Sequence, residues 1–573
     1  MGQHHVTSRF TRRDLSLLAQ SSSKSPLRVI SLIDYDSFYA QCESVRLGIS
    51  PDTPLGVQQW DAIIALNYAA RRYGLARAIS VKEARLKCPD IVLQHVPTWR
   101  ERSETWAYRP VATIMPGTDK AALDPYRLES RKGHGVIRRT LPQDPPPLIE
   151  KASVDEVFLD LSAQVYAIMM QRYPNLLDGE TSSPSEPLPL PDTAVLDWHA
   201  DSVFGDDTGL EPVDWDDLSL LIGSEIVQNL RREIFGQLKY TCSAGIARNK
   251  MLAKLASAHK KPNHQTIVLR RGTCEFLSAH KLTKIRGLGG ALGAKFVEIF
   301  KTDMVSELHH VSLPQMEEAM GPEIGEWIFK IIHGEDQSEI NPQTDVQSML
   351  SAKTFVPKIT SVEQAEKWLH IFVADLLSRL AELDAEGHQV CPTVVTLNHL
   401  IEGRFGPTRS KQLTIPRSIS ITKESLYKTA RDLLNQIVRE KNSWPCRSLS
   451  LRISGFQKVP RHHGLISSYF TSYATTKSPS KQLTNDSTAN RHADDLPEKR
   501  ECVQLPPLEG NSVSEGKSFK SALINKETFG GLESESELYV CPHCKISVPA
   551  SEVLEHLDWH VALELSEADT LNE

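Results

Sequence analysis

Nine cysteines in 573 residues, of which only Cys541 and Cys544 are closely spaced, are too few and too scattered for a disulfide framework; a reducing compartment is expected. No apolar run approaches the roughly 18 residues that a bilayer-spanning helix needs, so no membrane association is expected. The stretch to Arg28 has no apolar h-region and a single acid, Asp14, which argues against a secretory signal. Its Ser and Arg content suits a flexible arm, with a mitochondrial-type leader as the alternative. Val6 stands where a myristoylation signal needs Ser or Thr.

An excess of positive charge is also missing: the net charge is -7. Its distribution matters more than its sum. Residues 471–573 carry about -9, residues 241–300 about +9 and residues 391–457 about +7. Two basic blocks a hundred residues apart suggest two surfaces that meet a polyanion, although solvated lysine-rich faces would explain either block alone.

Along the chain, Arg28-Val-Ile-Ser-Leu-Ile-Asp34 is a β-branched run that stops at a carboxylate, and Ala152–Asp160 places apolar residues around two adjacent acids. Helical patterns are expected at Leu66–Gly74, Val81–Cys88, Val362–Leu383 and Lys423–Arg439, with a closing strand at Ser448–Ser454. From Asp178 to Asp217 there are twelve acids and no Lys or Arg, which reads as a poorly ordered insertion. Residues 471–535 are Ser/Thr/Lys/Glu-rich and read as disordered linker.

Asp34, Asp155 and Glu156 are the candidate catalytic constellation. Carboxylates on neighbouring strands repel each other unless a cation joins them, and hard oxygen ligands suit Mg²⁺. Acids at strand ends are also common as plain solvated turn residues. Three longer motifs decide between these readings. Ile33-Asp-Tyr-Asp-Ser-Phe-Tyr-Ala-Gln-Cys-Glu43, Ala152-Ser-Val-Asp-Glu-Val-Phe-Leu-Asp-Leu161 and Cys242-Ser-Ala-Gly-Ile-Ala-Arg-Asn-Lys-Met-Leu-Ala-Lys-Leu255 resemble, in order, the three motifs of the Y-family lesion-bypass DNA polymerases, over roughly residues 27–457.

The resemblance implies that Asp34, Asp155 and Glu156, with the Tyr35 carbonyl, hold two Mg²⁺ (or Mn²⁺) ions. Tyr39 would be the steric gate against a ribose 2′-hydroxyl, where eta-type members usually carry Phe. Tyr68 and Arg71, three apart in Ile63–Gly74, and Lys261 in Lys261-Pro-Asn263 would grip the triphosphate. Gln58 and Arg77 match eta-type contacts to template base and nucleotide, with small Ala78 leaving that face open. Gly287 and Gly289, in Lys284-Ile-Arg-Gly-Leu-Gly-Gly290, look like a helix–hairpin–helix turn whose N–H groups bind DNA phosphate.

Cys541-Pro-His-Cys544 followed by His556-Leu-Asp-Trp-His560 has the spacing of a two-Cys, two-His Zn²⁺ site. From Glu552 to Glu573 there is no Lys or Arg, so this finger would repel DNA. It resembles a ubiquitin-binding zinc finger, with Asp558 as the ubiquitin contact. His463-Gly-Leu-Ile-Ser-Ser-Tyr-Phe470 resembles a sliding-clamp peptide, with Ile466, Tyr469 and Phe470 as its plug and His463 in place of the usual Gln.

The expected fold is therefore α+β and multidomain: a right-hand polymerase of palm, fingers, thumb and little finger, then a disordered linker and a small ββα zinc finger. The boundaries are a flexible arm at 1–27; palm at 28–60 and 111–274, with the acidic insertion at about 173–217; fingers at 61–110; thumb at 275–347; little finger at 350–457; linker at 458–537, with the clamp motif at 463–470; and the finger at 538–566. Expected partners are primer–template DNA, dNTPs, ubiquitin and the ubiquitinated sliding clamp (PCNA), for a monomer at nuclear replication foci with a possible mitochondrial fraction. The rivals are an iota- or kappa-like polymerase, a catalytically inactive ubiquitin-binding repair adaptor, and a two-metal nucleotidyl cyclase.

Overall fold

The computed structural model describes residues 7–177, 183–192, 196–206, 212–342, 346–401, 408–415 and 421–458, and two short strands at Leu538–Val540 and Ser547–Pro549. The chain divides into two units, Met1–Ser467 and Ser468–Glu573. The α+β expectation holds for the first.

The expected flexible arm is instead a strand, β1 (Thr7–Thr11), and a helix, α1 (Arg12–Ala19). Phe10, Leu15 and Leu18 enter the main core. Arg9 donates to Asp216 at 2.6 Å and Ser8 to Asp214 at 2.5 Å. Burial of these apolar and ionic contacts offsets the entropy of ordering a polar segment.

Next come β2 (Ile30–Tyr35), α2 (Phe38–Leu47), β3 (Leu55–Gln59), β4 (Ala62–Leu66), α3 (Tyr68–Arg71), α4 (Val81–Lys87) and β5 (Val92–His95). β3 pairs antiparallel with β4 and parallel with β5. The palm–fingers break, expected at residue 60, therefore falls before β3, because its ladder partners are both in the fingers. The helix expected over Leu66–Gly74 shrinks to α3. Asn67 caps it by accepting from Ala70 N–H at 2.9 Å.

The chain continues through β6 (Thr98–Arg100), β7 (Asp119–Ala121), α5 (Asp124–Thr140), β8 (Leu148–Lys151), β9 (Glu156–Asp160), α6 (Ser162–Arg172), β10 (Pro187–Pro189), β11 (Ser202–Phe204), α7 (Trp215–Leu238), β12 (Cys242–Ala247), α8 (Lys250–Ala258) and β13 (Gln265–Val268). Part of the acidic insertion is thus built in. β10 pairs with β1, and β11 joins the edge of the main sheet beside β13.

That sheet runs β11-β13-β12-β2-β9-β8, with β2 antiparallel to β12 and β9. Strand alternation sends Ile33, Tyr35, Val157 and Leu159 to the core shared with α5 and α7. Ile30, Leu32 and Phe158 go to the opposite core, with α8. Gly245 in β12 lets α8 approach: a Cβ there would lie 2.0 Å from the Ala253 carbonyl oxygen.

Five thumb helices follow: α9 (Thr273–Ser278), α10 (Ala291–Phe300), α11 (Val305–Leu308), α12 (Leu313–Met320) and α13 (Pro322–Ile332). The last domain holds β14 (Ser348–Ile359), α14 (Val362–Ala385), β15 (Val390–Cys391), β16 (Val394–Ile401), β17 (Thr408–Thr414), α15 (Lys423–Val438), β18 (Cys446–Ser454) and β19 (Gln457–Lys458). Its sheet, β14-β18-β16-β17, is covered on one face by α14 and α15, whose leucines share a core with Leu397, Leu449 and Leu451. In the second unit, β20 (Leu538–Val540) and β21 (Ser547–Pro549) pair antiparallel, Val540 opposite Ser547.

Candidate active site

Asp34 and Glu156 are register partners on β2 and β9. Alternation places Asp34 on the same face as Leu32, and Glu156 on the same face as Phe158, so both acids face α8. Asp155 was expected inside a strand; it lies instead in the turn before β9. Ser153 explains the turn, since its Oγ accepts N–H bonds from Asp155 at 3.2 Å and Glu156 at 3.0 Å. The Tyr35 N–H donates to the Asp155 carbonyl at 2.9 Å, fixing the third acid beside the other two.

Each carboxylate has its own partner. Lys261 Nζ is 2.5 Å from Asp34, Lys254 Nζ is 2.6 Å from Glu156, and the Ser153 hydroxyl donates to Asp155 at 2.5 Å. Among the described residues the side chains do not gather into a set of three around one ion. Burial pushes the Asp34 pKa up to about 6; Lys261 works against this, and Glu156 and Asp155 add to it. Hard oxygen donors under mutual repulsion fit a divalent cation in both chemistry and charge.

Asp36, which sequence reasoning passed over, ties this site together. It is buried, accepts from Ser243 Oγ at 2.8 Å and takes the Asn263 N–H at 2.9 Å. The Lys261 loop is thereby anchored to β2 and β12. The Asp-x-Asp spacing at 34 and 36 was the available signal.

Of the nucleotide-gripping candidates, Lys261, Tyr68 and Tyr39 lie near the acids. Tyr68 is pushed up to about 12 by burial, with Asp36 and Asp34 adding and Arg71 opposing. The Arg71 guanidinium lies 4.7 Å from the Tyr68 ring centroid. Burial raises the Tyr39 pKa, with Arg127 and Arg77 opposing and Asp155 adding. Arg77 Nε donates to the Ile64 carbonyl at 3.1 Å, and Gln58, opposite Ile63, donates to the Trp60 carbonyl at 2.6 Å. Ala78 holds a left-handed φ of 68°, so a small side chain sits at a strained, exposed corner.

Gly287 and Gly289 lie apart from the acids, on the thumb. Gly287 has φ +86°, and a Cβ would meet Trp327 at 3.2 Å, so only glycine makes this turn without strain. A cavity of about 340 Å³ is lined by Phe158, Lys284, Arg286, Lys254, which pairs with Glu156, and Trp327, which backs Gly287, among others.

Two cations of the basic block at 391–457 are held in ion pairs. Arg409 and Lys411 pair with Glu440, at 3.3 and 3.0 Å, on the side of the sheet covered by α15. The uncovered face carries Thr354, Ser448, Ser450, Asn398, Ser410 and Gln412, aligned across β14, β18, β16 and β17. Hydroxyls and amides share this surface with Arg452, Ala352 and the exposed Leu350.

The zinc candidates Cys541, Cys544, His556 and His560, the ubiquitin candidate Asp558 and the clamp candidates Ile466, Tyr469 and Phe470 lie outside the described residues. In sequence, Cys541 and Cys544 fall between β20 and β21. No helix among the described residues is long and apolar enough to cross a membrane.

Comparison with known proteins identifies four segments. Residues 33–258 match the impB/mucB/samB family and 346–466 its C-terminal domain. Residues 281–334 match the DNApol eta/Rev1 HhH motif, and 537–568 the Ubiquitin-Binding Zinc Finger. The chain is 34% identical to the N-acetyltransferase eso1 of Schizosaccharomyces pombe, over 99% of this chain and 65% of that protein. It is 26% identical to DNA polymerase eta of Saccharomyces cerevisiae, over 92% of this chain and 93% of that one. Mouse DNA polymerase iota is 30% identical over 64% of this chain and 44% of its own. The chain thus spans about two thirds of the fission-yeast relative.

Proposed function

Because this chain belongs to the Y-family DNA polymerases, the impB/mucB/samB family, and is eta-like, we propose that it extends primers on template DNA past replication-blocking lesions such as UV-induced pyrimidine dimers. The observation that carries this reading is the placement of Asp34, Glu156 and Asp155 on adjacent chain segments, with Lys261 on Asp34.

Lys261, Arg71 and Tyr68 bind the β and γ phosphates, and Asp36 keeps the Lys261 loop in place. Tyr39 closes the sugar pocket against a 2′-hydroxyl. Gln58 and Arg77 hold the templating base and the incoming nucleotide, and Ala78 leaves room beside them. Asp34, Asp155, Glu156 and the Tyr35 carbonyl would hold two divalent cations. When bound, these supply Lewis-acid activation of the primer hydroxyl and neutralise the leaving pyrophosphate. Gly287, Gly289 and the hydroxyl-lined sheet grip DNA without reading its sequence.

In the tail, Cys541, Cys544, His556 and His560 would hold Zn²⁺. So small a module needs the metal for its folding. Asp558 contacts ubiquitin, and Ile466, Tyr469 and Phe470 plug into the sliding clamp. Together they raise the local concentration of the enzyme at ubiquitin-marked, stalled clamps in the nucleus.

Primer extension in Mg²⁺, opposite a cis-syn thymine dimer and an undamaged control, tests the reading. Efficient extension on both templates is expected. Extension on undamaged DNA alone would keep the family but favour an iota- or kappa-like enzyme. No extension by folded protein would favour a ubiquitin-binding adaptor.

A further inference from the structure

Glu43 is 1% exposed although it carries a carboxylate, and none of the chemistry above uses it. Its Oε1 accepts from the Tyr126 hydroxyl at 2.7 Å and the Tyr108 hydroxyl at 2.8 Å, and its Oε2 accepts from Arg46 Nε at 2.7 Å. The Arg46 guanidinium lies 3.7 Å from the Tyr108 ring centroid, closing the network. A buried polar network satisfied at every member holds its rings in one arrangement.

One of those rings reaches the site. Tyr126 stacks on Tyr39, with centroids 4.1 Å apart and planes 14° from parallel. The other neighbour of Tyr39, Phe38, is tilted at 6.1 Å, so Tyr126 supplies the flat backing. Tyr39 and Glu43 are four residues apart on α2, one helical turn. The sugar-facing ring and the acid that fixes its support therefore move together.

We infer that Glu43 is a positioning residue for sugar selection. By holding the Tyr126 hydroxyl it fixes the ring on which Tyr39 rests, and so sets how completely the pocket excludes a ribonucleotide. This rests on the reading of Tyr39 as the gate.

The test compares kcat/KM for a matched dNTP and rNTP in the full chain and in Tyr39→Ala, Tyr126→Phe, Glu43→Gln and the Tyr126→Phe/Glu43→Gln double variant, with Tm recorded for each. Tyr126→Phe should cut dNTP-over-rNTP selectivity by about tenfold, the scale of one buried charged hydrogen bond, and Glu43→Gln, which removes the acceptor's charge, by no more than that. That loss should come from better rNTP use. The double variant should lose no more than the larger single, because both weaken the same contact. Equal losses for both nucleotides alongside a lower Tm would show a purely structural role and overturn the inference, as would additive effects. If Glu43→Gln fails to fold, Tyr126→Phe decides, since it keeps the ring and removes one hydroxyl. Tyr39→Ala separates the two ideas. If it fails to relax selectivity, the gate reading itself falls; if it alone relaxes selectivity, only the role of Glu43 falls.

Discussion

The sheet carrying the acids and the sheet of residues 346–458 are both built from strands with helices packed on them, yet they keep different groups away from water. β2 is covered on both faces, and its one residue that is not fully buried is Asp34. β14 is covered on one face, so from Met349 to Phe355 buried and exposed residues alternate. A doubly covered sheet can carry charge only at its strand ends, where each carboxylate needs a named partner. A singly covered sheet can spread weak polar contacts over a broad surface. The first arrangement suits chemistry at one point, and the second suits holding a uniform polymer.

Lys261→Ala should produce the largest division between the two sheets. Losing a charge-assisted contact worth about 1.5–3 kcal/mol should raise the dNTP KM by roughly 10- to 100-fold while leaving primer–template affinity near its wild-type value. Steady-state kinetics and fluorescence anisotropy read the two effects separately. A fall in DNA affinity with no change in KM would merge the roles that the comparison keeps apart.

Ser450→Glu, on the open face, should do the reverse. A carboxylate facing phosphate should weaken duplex binding by about three- to tenfold in moderate salt, more at low salt, with dNTP KM unchanged. A salt-independent effect would mean that this face does not meet the backbone.

Asp34→Asn should show the smallest effect, on stability. The folded-state pKa of Asp34 lies near 6, above its ordinary 3.8. Ionising it costs more in the folded than in the unfolded chain. The favourable contribution of the neutral form is full below about pH 4 and is lost as pH rises through about 6. Without divalent metal, the Tm of Asp34→Asn should match wild type at about pH 4 and below and exceed it by a few degrees at about pH 7.5. A gap independent of pH would show that burial does not raise the Asp34 pKa.

The candidate acids stand out in the sequence because they sit in local patterns: an apolar run ending in Asp34, and apolar residues around Asp155 and Glu156. Helices α14 and α15 were legible from their periodicity, and the structure adds Ser361 and Thr422 as their caps. The Tyr126–Glu43 bond spans 83 residues, and nothing in either local segment announces it. Arg409 and Lys411 lie two apart and share a face of β17, but which face the helices cover is decided only by tertiary packing. The arm at 7–19 looked polar because its few apolar side chains are diluted by Ser and Arg; only the tertiary pairing with β10 and Asp214 gives them a place. The turn at Ser153 was hidden within a stretch that reads as strand.

The central claim is that Asp34, Asp155 and Glu156 form a polymerase site distinct from the surfaces that hold DNA. Single-turnover primer extension by wild type and Asp155→Ala/Glu156→Ala in Mg²⁺, with primer–template Kd measured on the same samples, addresses it most directly. The account predicts a rate loss of about a thousandfold or more, with Kd changed by less than about threefold. Extension by the double variant within about tenfold of wild type would contradict it.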